Sequence, residues 1–114
     1  MKTYKASCHC GSIKFRVKTD ISYSAKCDCS LCIKRETTMV RCDQKDLKVL
    51  SGEEFLSLYQ FNTKVAKHYF CQRCGVYTFH KMRKSPDKFA VNAGCLEGVD
   101  PFELDPTFIE GSTV

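Results

Sequence analysis

Three short cysteine clusters constrain this 114-residue chain more than any other feature of its sequence. They are Cys8-His9-Cys10, Cys27-Asp28-Cys29-Ser30-Leu31-Cys32 and Cys71-Gln72-Arg73-Cys74. The total of nine cysteines is odd, and the first residues contain no apolar stretch like the core of a signal peptide. We therefore expect a cytoplasmic protein, and in that reducing compartment such clusters indicate metal binding or catalysis rather than disulfides.

Length and charge narrow the class of protein. A chain of 114 residues predicts one domain, residues 1–114, whose core is small enough for a bound metal to matter. No run approaches the roughly 18 consecutive apolar residues of a membrane span, so we expect no membrane partner. The net charge of +5 is modest, and the basic residues alternate with acidic ones instead of forming a tail. This distribution argues against nucleic acid as a partner, and the sequence indicates no oligomeric state.

The local patterns are those of short strands. Residues 13–18 alternate apolar and basic side chains, which predicts a half-buried strand with a basic outer face. Asn62-Thr63 predicts a hairpin. The tail, which contains Asp100-Pro101 and Asp105-Pro106, is expected to be extended because residues before proline avoid the helical region. Ser51 and Glu54 have capping-box spacing, which allows one short helical turn or a simple turn. Further strand-like segments are residues 37–50, 57–61, 66–70, 76–79 and 89–91. No segment sustains a period of about 3.6 residues, so we predict an all-β fold.

The outer two clusters predict a structural zinc site. Cys71 and Cys74 form a C-x-x-C turn, and Gly75 can take the left-handed conformation that such a knuckle needs. This turn supplies half of a tetrahedral four-thiolate site. Cys8 and Cys10 are the natural partners, because residues i and i+2 of an extended segment point to the same side.

The middle cluster predicts a second zinc site of a different kind. Cys27, Cys29 and Cys32 supply three sulfurs within six residues. Three protein ligands with one exchangeable position are typical of catalytic zinc, which can bind an incoming thiol as its thiolate. Three basic residues flank the cluster and would attract an anionic ligand: Lys26, Lys34 and Arg35.

A fourth protein ligand would close this second site and make it structural. The candidates are Cys42, Cys95 or a histidine. Cys42 is most simply a small buried residue, and His68 and His80 are interpreted as hydrogen-bonded packing residues. Cys95 stands among small residues, which indicates a close approach to another part of the chain.

Taken together, the motifs resemble the glutathione-dependent formaldehyde-activating enzyme family, which shares its domain with centromere protein V. The resemblance covers residues 4–109 and depends on four segments in order: Cys8-His9-Cys10-Gly11, Cys27-Asp28-Cys29-Ser30-Leu31-Cys32, Phe70-Cys71-Gln72-Arg73-Cys74-Gly75 and Asn92-Ala93-Gly94-Cys95-Leu96-Glu97. It implies compact, twisted antiparallel sheets with knuckles related to zinc ribbons. It also implies a structural zinc on Cys8, Cys10, Cys71 and Cys74, and an active zinc on Cys27, Cys29 and Cys32.

The function implied by this resemblance is that of a carbon–sulfur lyase. Such an enzyme joins formaldehyde to the thiol of glutathione and gives S-(hydroxymethyl)glutathione. A small thiol such as glutathione is then the expected partner, with two zinc ions per chain as cofactors. Two alternatives remain open: a non-catalytic zinc module for a protein or nucleic-acid partner, and a redox enzyme that uses Cys42 and Cys95.

Overall fold

The computed structural model describes residues 1–111, and within them ten strands and one short helix are connected by loops and 3₁₀ turns. The strands are β1 (Lys2–Ser7), β2 (Lys14–Thr19), β3 (Ala25–Cys27), β4 (Met39–Asp43), β5 (Leu47–Ser51), β6 (Leu56–Tyr59), β7 (Lys67–Cys71), β8 (Tyr77–Lys81), β9 (Lys88–Asn92) and β10 (Thr107–Ile109), and the helix is α1 (Cys32–Arg35). The predicted all-β class is confirmed.

The strands form two sheets. The smaller sheet has the order β1-β2-β5, and the larger has the order β10-β3-β4-β9-β8-β7-β6. Neighbouring strands are antiparallel, except that β10 runs parallel to β3. This parallel pair brings the last described strand beside the middle cysteine cluster.

The main core lies between the two sheets. In the larger sheet, Val40 pairs with Val91 and Val91 with Phe79, so the three side chains share one face. Phe15 of β2 packs edge-on against Phe79, with ring centroids 5.3 Å apart. Val17 of β2 is fully buried as well. The basic residues of β2 face outward, as the alternation in residues 13–18 predicts.

The opposite face of the larger sheet carries a second, more polar layer. Ala90 pairs with His80, and His80 pairs with His68, so these residues share a face turned away from the main core. Ala90 also belongs to a smaller buried cluster with Met39 and Tyr77, against which Cys27 packs. The middle cysteine cluster therefore lies over this second face.

Several local expectations can be compared with the structure. The hairpin at Asn62 is confirmed, since β6 pairs with β7 across a loop in which Asn62 has a φ of 55°. A single 3₁₀ turn forms at residues 53–55, but Gly52 occupies its N-cap and no side chain caps it, so the Ser51–Glu54 capping box is absent. The tail is not extended throughout, because Pro101–Glu103 forms a 3₁₀ turn capped by Asp100. Among residues 1–111, no helix is long and apolar enough to cross a membrane.

Candidate metal centres

Two similar turns build the first cluster. Cys8 follows β1, and Cys71 is the last residue of β7. Gly11 and Gly75 have φ values of 79° and 77°, and their amides donate to the carbonyls of Cys8 and Cys71 at 3.3 and 2.7 Å. The left-handed conformation predicted for Gly75 is therefore present. Each turn presents two thiols on one side, and the packing of the sheets brings the two turns face to face.

The four sulfurs of this cluster have the spacing of a metal site. The Sγ atoms of Cys8, Cys10, Cys71 and Cys74 all lie within 4.8 Å of one another. The Cys8–Cys10 and Cys10–Cys71 sulfur distances are 3.7 and 3.8 Å. A tetrahedron with metal–sulfur bonds of about 2.3 Å has edges of about 3.8 Å. This cluster can therefore bind a metal ion, and its donor set fits zinc.

Hydrogen bonds to sulfur prepare part of the first cluster for the thiolate form. The amide of Ile13 donates to Cys8 Sγ at 3.3 Å. Cys10 is exposed, and its Sγ lies 3.2 Å from Ser12 Oγ. Interactions with the side chain and backbone of Ser12 lower the pKa of Cys10 to about 6. By contrast, burial raises the pKa of Cys71 to about 11. Cys10 and Cys71 thus differ in proton affinity, and a bound cation would favour deprotonation of all four thiols.

The second cluster forms where β3 ends and α1 begins. The sulfurs of Cys27, Cys29 and Cys32 lie within 4.8 Å of one another, so the structure brings together the three predicted residues. The amide of Cys29 donates to Cys27 Sγ at 3.5 Å, and the amide of Cys32 donates to Cys29 Sγ at 3.3 Å. In the described part of the chain, no fourth cysteine, histidine or carboxylate joins this set. Three converging thiols fit a zinc ion that retains one open position.

Burial and hydrogen bonds shift the pKa values of Cys29 and Cys32 in opposite directions. For Cys29, burial alone would raise the pKa, but hydrogen bonds from its neighbours, chiefly Cys32, together outweigh burial and the pKa falls. For Cys32, burial raises the pKa to about 12, even though the nearby Arg35 acts in the opposite direction. For the most buried thiol of the cluster, the positive charge of Arg35 thus favours the thiolate form.

Arg35 approaches the second cluster more closely than sequence spacing could indicate. Its Nη2 donates to Cys32 Sγ at 3.5 Å, and its Nη1 lies 3.2 Å from His68 Nδ1. Its guanidinium carbon lies 3.6 Å from the centroid of the Tyr77 ring. The Tyr77 hydroxyl in turn lies 2.7 Å from His80 Nδ1. These residues form a polar layer beneath the cysteines. Its two histidines are hydrogen-bonded, as the sequence predicted, but the sequence did not indicate that they lie beside Arg35 and Tyr77.

The other two flanking cations have different surroundings. Lys34 is exposed on α1. Lys26 lines a cavity of about 340 Å³ together with Asn92 and Phe102. Since successive side chains of a strand point to opposite faces, Lys26 and Cys27 point away from each other. The cavity is therefore separate from the second cluster.

The last described residue lies against the second cluster. The amide of Asp28 donates to the Ile109 carbonyl at 3.2 Å, which extends the pairing of β10 with β3. Gly111 follows so closely that a β-carbon on it would overlap Cys27 Sγ and lie 3.2 Å from the Cys29 β-carbon. A glycine after a strand was the only sequence signal for this approach, and it was not sufficient.

The two remaining cysteines are buried and belong to neither set. Cys95 donates to the Tyr77 carbonyl at 3.7 Å, and burial raises its pKa to about 12. Cys42 packs in the main core, and burial likewise raises its pKa to about 12. Neither thiol joins either metal-type group. Since thiol–disulfide exchange needs accessible thiolates, these two residues do not support the redox alternative.

Comparison with known proteins agrees with this geometry. The model of the family described as glutathione-dependent formaldehyde-activating enzyme matches residues 3–109. The chain belongs to this family. The expected membership of the formaldehyde-activating enzyme family is thereby confirmed. All seven clustered cysteines lie inside the matched region, whereas Gly111 lies beyond it.

One named protein and one crystal structure are similar to this member of the formaldehyde-activating enzyme family. A Halomonas elongata protein, provisionally named as a glutathione-dependent formaldehyde-activating enzyme, is 33% identical over 79 residues. The match covers 61% of this chain and 50% of that protein, so the chain spans about half the length of the relative. A crystal structure of a Rhodobacter sphaeroides protein is 40% identical, covers 91% of this chain and 98% of that one, and has a TM-score of 0.87.

Proposed function

We propose that this chain is a zinc-dependent carbon–sulfur lyase that joins formaldehyde to the thiol of glutathione. The observation that carries the proposal is the contrast between the clusters. One brings together four sulfurs of the chain, whereas the other brings together three, with no fourth chain ligand among the described residues. Four-sulfur sites are structural, and three-ligand sites leave a position for substrate. The family name supports glutathione and formaldehyde as the substrates.

The four-sulfur cluster is proposed as the structural zinc site. Cys8 and Cys10 lie in the turn after β1, and Cys71 and Cys74 lie in the turn after β7. A metal shared by both turns would join the small sheet to the large one. Binding of such a metal contributes directly to folding, because the unfolded chain holds these residues far apart.

The three-sulfur cluster is proposed as the site of thiol binding. A zinc ion bound by Cys27, Cys29 and Cys32 would act as a Lewis acid that favours the thiolate form of an incoming thiol. The amides of Cys29 and Cys32 hold the sulfurs in place. Arg35 supplies positive charge beside Cys32. This charge also attracts the carboxylates of a peptide-like thiol, an effect that salt screens.

The proposed reaction balances without an oxidant or a reductant. The thiol loses its proton, and its sulfur forms a bond to the carbon of formaldehyde. The carbon–oxygen π bond breaks, and the oxygen takes up a proton to give the hydroxymethyl thioether. The protein accelerates this addition mainly by holding the sulfur and the aldehyde close together, since proximity and orientation contribute strongly to catalysis.

The test compares thiol binding with rate. Wild-type protein and Cys29→Ser, both prepared at the same zinc concentration, are titrated with glutathione, and formation of S-(hydroxymethyl)glutathione is followed by NMR. We expect salt-dependent glutathione binding and acceleration for the wild type, and neither for Cys29→Ser. Binding without acceleration would show a thiol carrier. No binding to protein that holds two zinc ions would favour the alternative, a non-catalytic zinc module for a macromolecular partner.

A further inference from the structure

Negative charge would accumulate at the second cluster once it held a metal ion and a substrate thiolate, and one residue of the chain can compensate for it. Three thiolates around a divalent cation carry a net charge of about −1, and a fourth thiolate from a substrate would bring it to about −2. Like charges gathered at a partly buried site repel one another strongly, because the local dielectric is low. A fixed cation beside the sulfurs reduces this repulsion. Among the three flanking basic residues, Arg35 is the one with a sulfur contact, at 3.5 Å from Cys32 Sγ.

Arg35 is held in this position from below. Its guanidinium lies on the face of the Tyr77 ring, with the central carbon 3.6 Å from the ring centroid. Cation–π contacts of this kind strengthen when they are shielded from water, and Tyr77 is buried. The Tyr77 hydroxyl is fixed in turn by His80 Nδ1 at 2.7 Å and by the Ala90 carbonyl at 3.2 Å. The ring is therefore a rigid platform.

A second contact fixes the rotation of the guanidinium on that platform. Arg35 Nη1 lies 3.2 Å from His68 Nδ1. A guanidinium can only donate, so the Nδ1 atom of His68 must accept, and the imidazole must be neutral. The His68 ring stacks near His80, with centroids 4.5 Å apart, and is buried. Burial and the charge of Arg35 keep the His68 pKa low, at about 4, in agreement with this neutral form.

One atom of Arg35 shows that the placement has a cost. Its Nε is buried and has no hydrogen-bond partner among residues 1–111. Burying an unpartnered N–H is unfavourable, so an unconstrained arginine side chain would adopt a conformation in which water solvates this group. The contacts with Cys32, Tyr77 and His68 outweigh that preference and hold the guanidinium toward the sulfurs.

We propose that Arg35 is a positioning residue, oriented by Tyr77 and His68, that allows the Cys27/Cys29/Cys32 cluster to accept an external thiolate as a fourth ligand. This inference rests on the proposed function in its use of a thiol substrate. It goes further because it attributes the ability of the cluster to bind a fourth thiolate to the Arg35 guanidinium. It also makes Tyr77 and His68 parts of the site, although neither is a ligand.

The experiment uses cobalt-substituted protein and 2-mercaptoethanol. This thiol has no carboxylate, so simple attraction of an anionic substrate does not contribute. Sulfur-to-cobalt charge-transfer absorption is compared in wild type, Arg35→Met, Arg35→Lys and Lys34→Met. Cys29→Ser, which should hold cobalt only in the first cluster, gives the spectrum of that cluster for subtraction. Methionine keeps an apolar side chain of similar length over Tyr77 but removes the charge. Lys34→Met removes a charge from the same short helix at an exposed position, and it is the matched control.

We expect Arg35→Met to bind 2-mercaptoethanol about tenfold or more weakly, because the fourth thiolate then meets uncompensated charge. Lys34→Met should behave like the wild type. Arg35→Lys should fall between them, since lysine keeps the charge but lacks the planar fork that stacks and donates at once. Tyr77→Leu, which removes the platform, should resemble Arg35→Lys. Unchanged thiol affinity in Arg35→Met would overturn the inference, as would equal loss of the second cobalt from Arg35→Met and Arg35→Lys, which would mean that Arg35 serves folding alone.

The outcome is separable from that of the enzymatic proposal, because no aldehyde is present. Wild type that binds the thiol but does not accelerate its addition to formaldehyde would refute the enzyme and leave the inference standing. Wild type that binds no thiol would overturn the inference together with the proposed function. In the thiol-free protein, loss of the Arg35 hydrogen bond should shift the sulfur-to-cobalt charge-transfer absorption toward longer wavelength, and an unshifted absorption would contradict the contact on which the inference rests.

Discussion

Gly111 lies directly against Cys27, and the space between them admits no side chain. A β-carbon on Gly111 would overlap the Cys27 sulfur and would also lie 3.2 Å from the Cys29 β-carbon. The backbone conformation of Gly111 is not left-handed, so the requirement for glycine comes from close approach alone. The segment after β10 is thus packed against two of the three sulfurs of the second cluster.

We therefore predict that Gly111→Ala impairs the second metal site and spares the first. The added methyl must displace Cys27 or push the segment away, and either movement spoils the convergence of the sulfurs. Metal analysis should give about one zinc per chain where the wild type gives about two. Gly98→Ala is the control, because its methyl would meet open space and only its φ of 79° would be strained. That variant should lower the melting temperature and keep both metals. Full zinc content in Gly111→Ala would contradict the close packing.

Substitutions within the two clusters should differ in their structural consequences. Cys71 is fully buried and connects two turns that are distant in the chain. Cys71→Ser should lose one zinc and most of the cooperative fold. Cys29→Ser should lose the other zinc and still unfold cooperatively, since the main core lies on the opposite face of the larger sheet. Thermal unfolding followed by circular dichroism, with metal analysis of the same samples, checks both. Equal damage from the two substitutions would refute this division of roles.

Cys95→Ser should leave both metals in place. The Cys95 thiol donates to the Tyr77 carbonyl and stands outside both sulfur groups. A serine hydroxyl can make the same hydrogen bond, at a cost of about 1 kcal/mol for the smaller, more polar group. We expect two zinc ions per chain and an unchanged cobalt spectrum. A change in the thiolate-to-cobalt absorption would instead make Cys95 a ligand.

Acid should destabilise the protein partly through His80. Burial, with smaller contributions from His68 and Arg35, lowers the pKa of His80 to about 3. In the unfolded chain a histidine has a pKa of about 6.5, so between these values the unfolded state binds more protons and stability falls as the pH falls. His80→Asn keeps a hydrogen-bonding side chain and does not titrate. Below pH 6.5, the free energy of unfolding of the wild type should fall more steeply than that of the variant, by up to about 1.4 kcal/mol per pH unit.

Urea unfolding of both proteins from pH 5 to 8, at the same zinc concentration, measures this difference. Loss of zinc in acid affects both proteins and cancels in the comparison. Above pH 6.5 the two curves should run parallel, because His80 is then neutral in both states. Parallel curves below pH 6.5 as well would show that His80 is not shielded from protons as its burial implies.

The cysteine geometry was largely predictable from the sequence because it is local. Cys71, Cys74 and Gly75 lie in one turn, and so do Cys27, Cys29 and Cys32, so spacing alone indicates which sulfurs converge. The pairing of the two distant turns needed only the parity of a strand. Both sets came together as expected, whereas the ligand roles remain predictions.

The polar layer beneath the second cluster was not predictable, because it depends on strand register. The pairing of β7 with β8 shifts by one residue between Tyr69 and Phe70. Without that shift, His68 would oppose Phe79 and not His80. A one-residue slip exchanges the faces of a strand, and nothing in a single sequence locates such a bulge. The contact of Arg35 with Tyr77 depends on the same sheet and was equally hidden.

The two clusters differ in whether they can bind a metal in the unfolded chain, because their cysteines are spaced differently along the sequence. The sulfurs of Cys10 and Cys71 are separated by 61 positions, so their metal can be bound only after a long loop has closed. Cys27, Cys29 and Cys32 can meet in a chain that has no other structure. A ligand that also binds the unfolded state stabilises the native state less than its affinity implies. At equal affinity, the first metal should therefore stabilise the folded state more than the second. The second metal could bind before the chain folds, when the rest of its site has not yet formed.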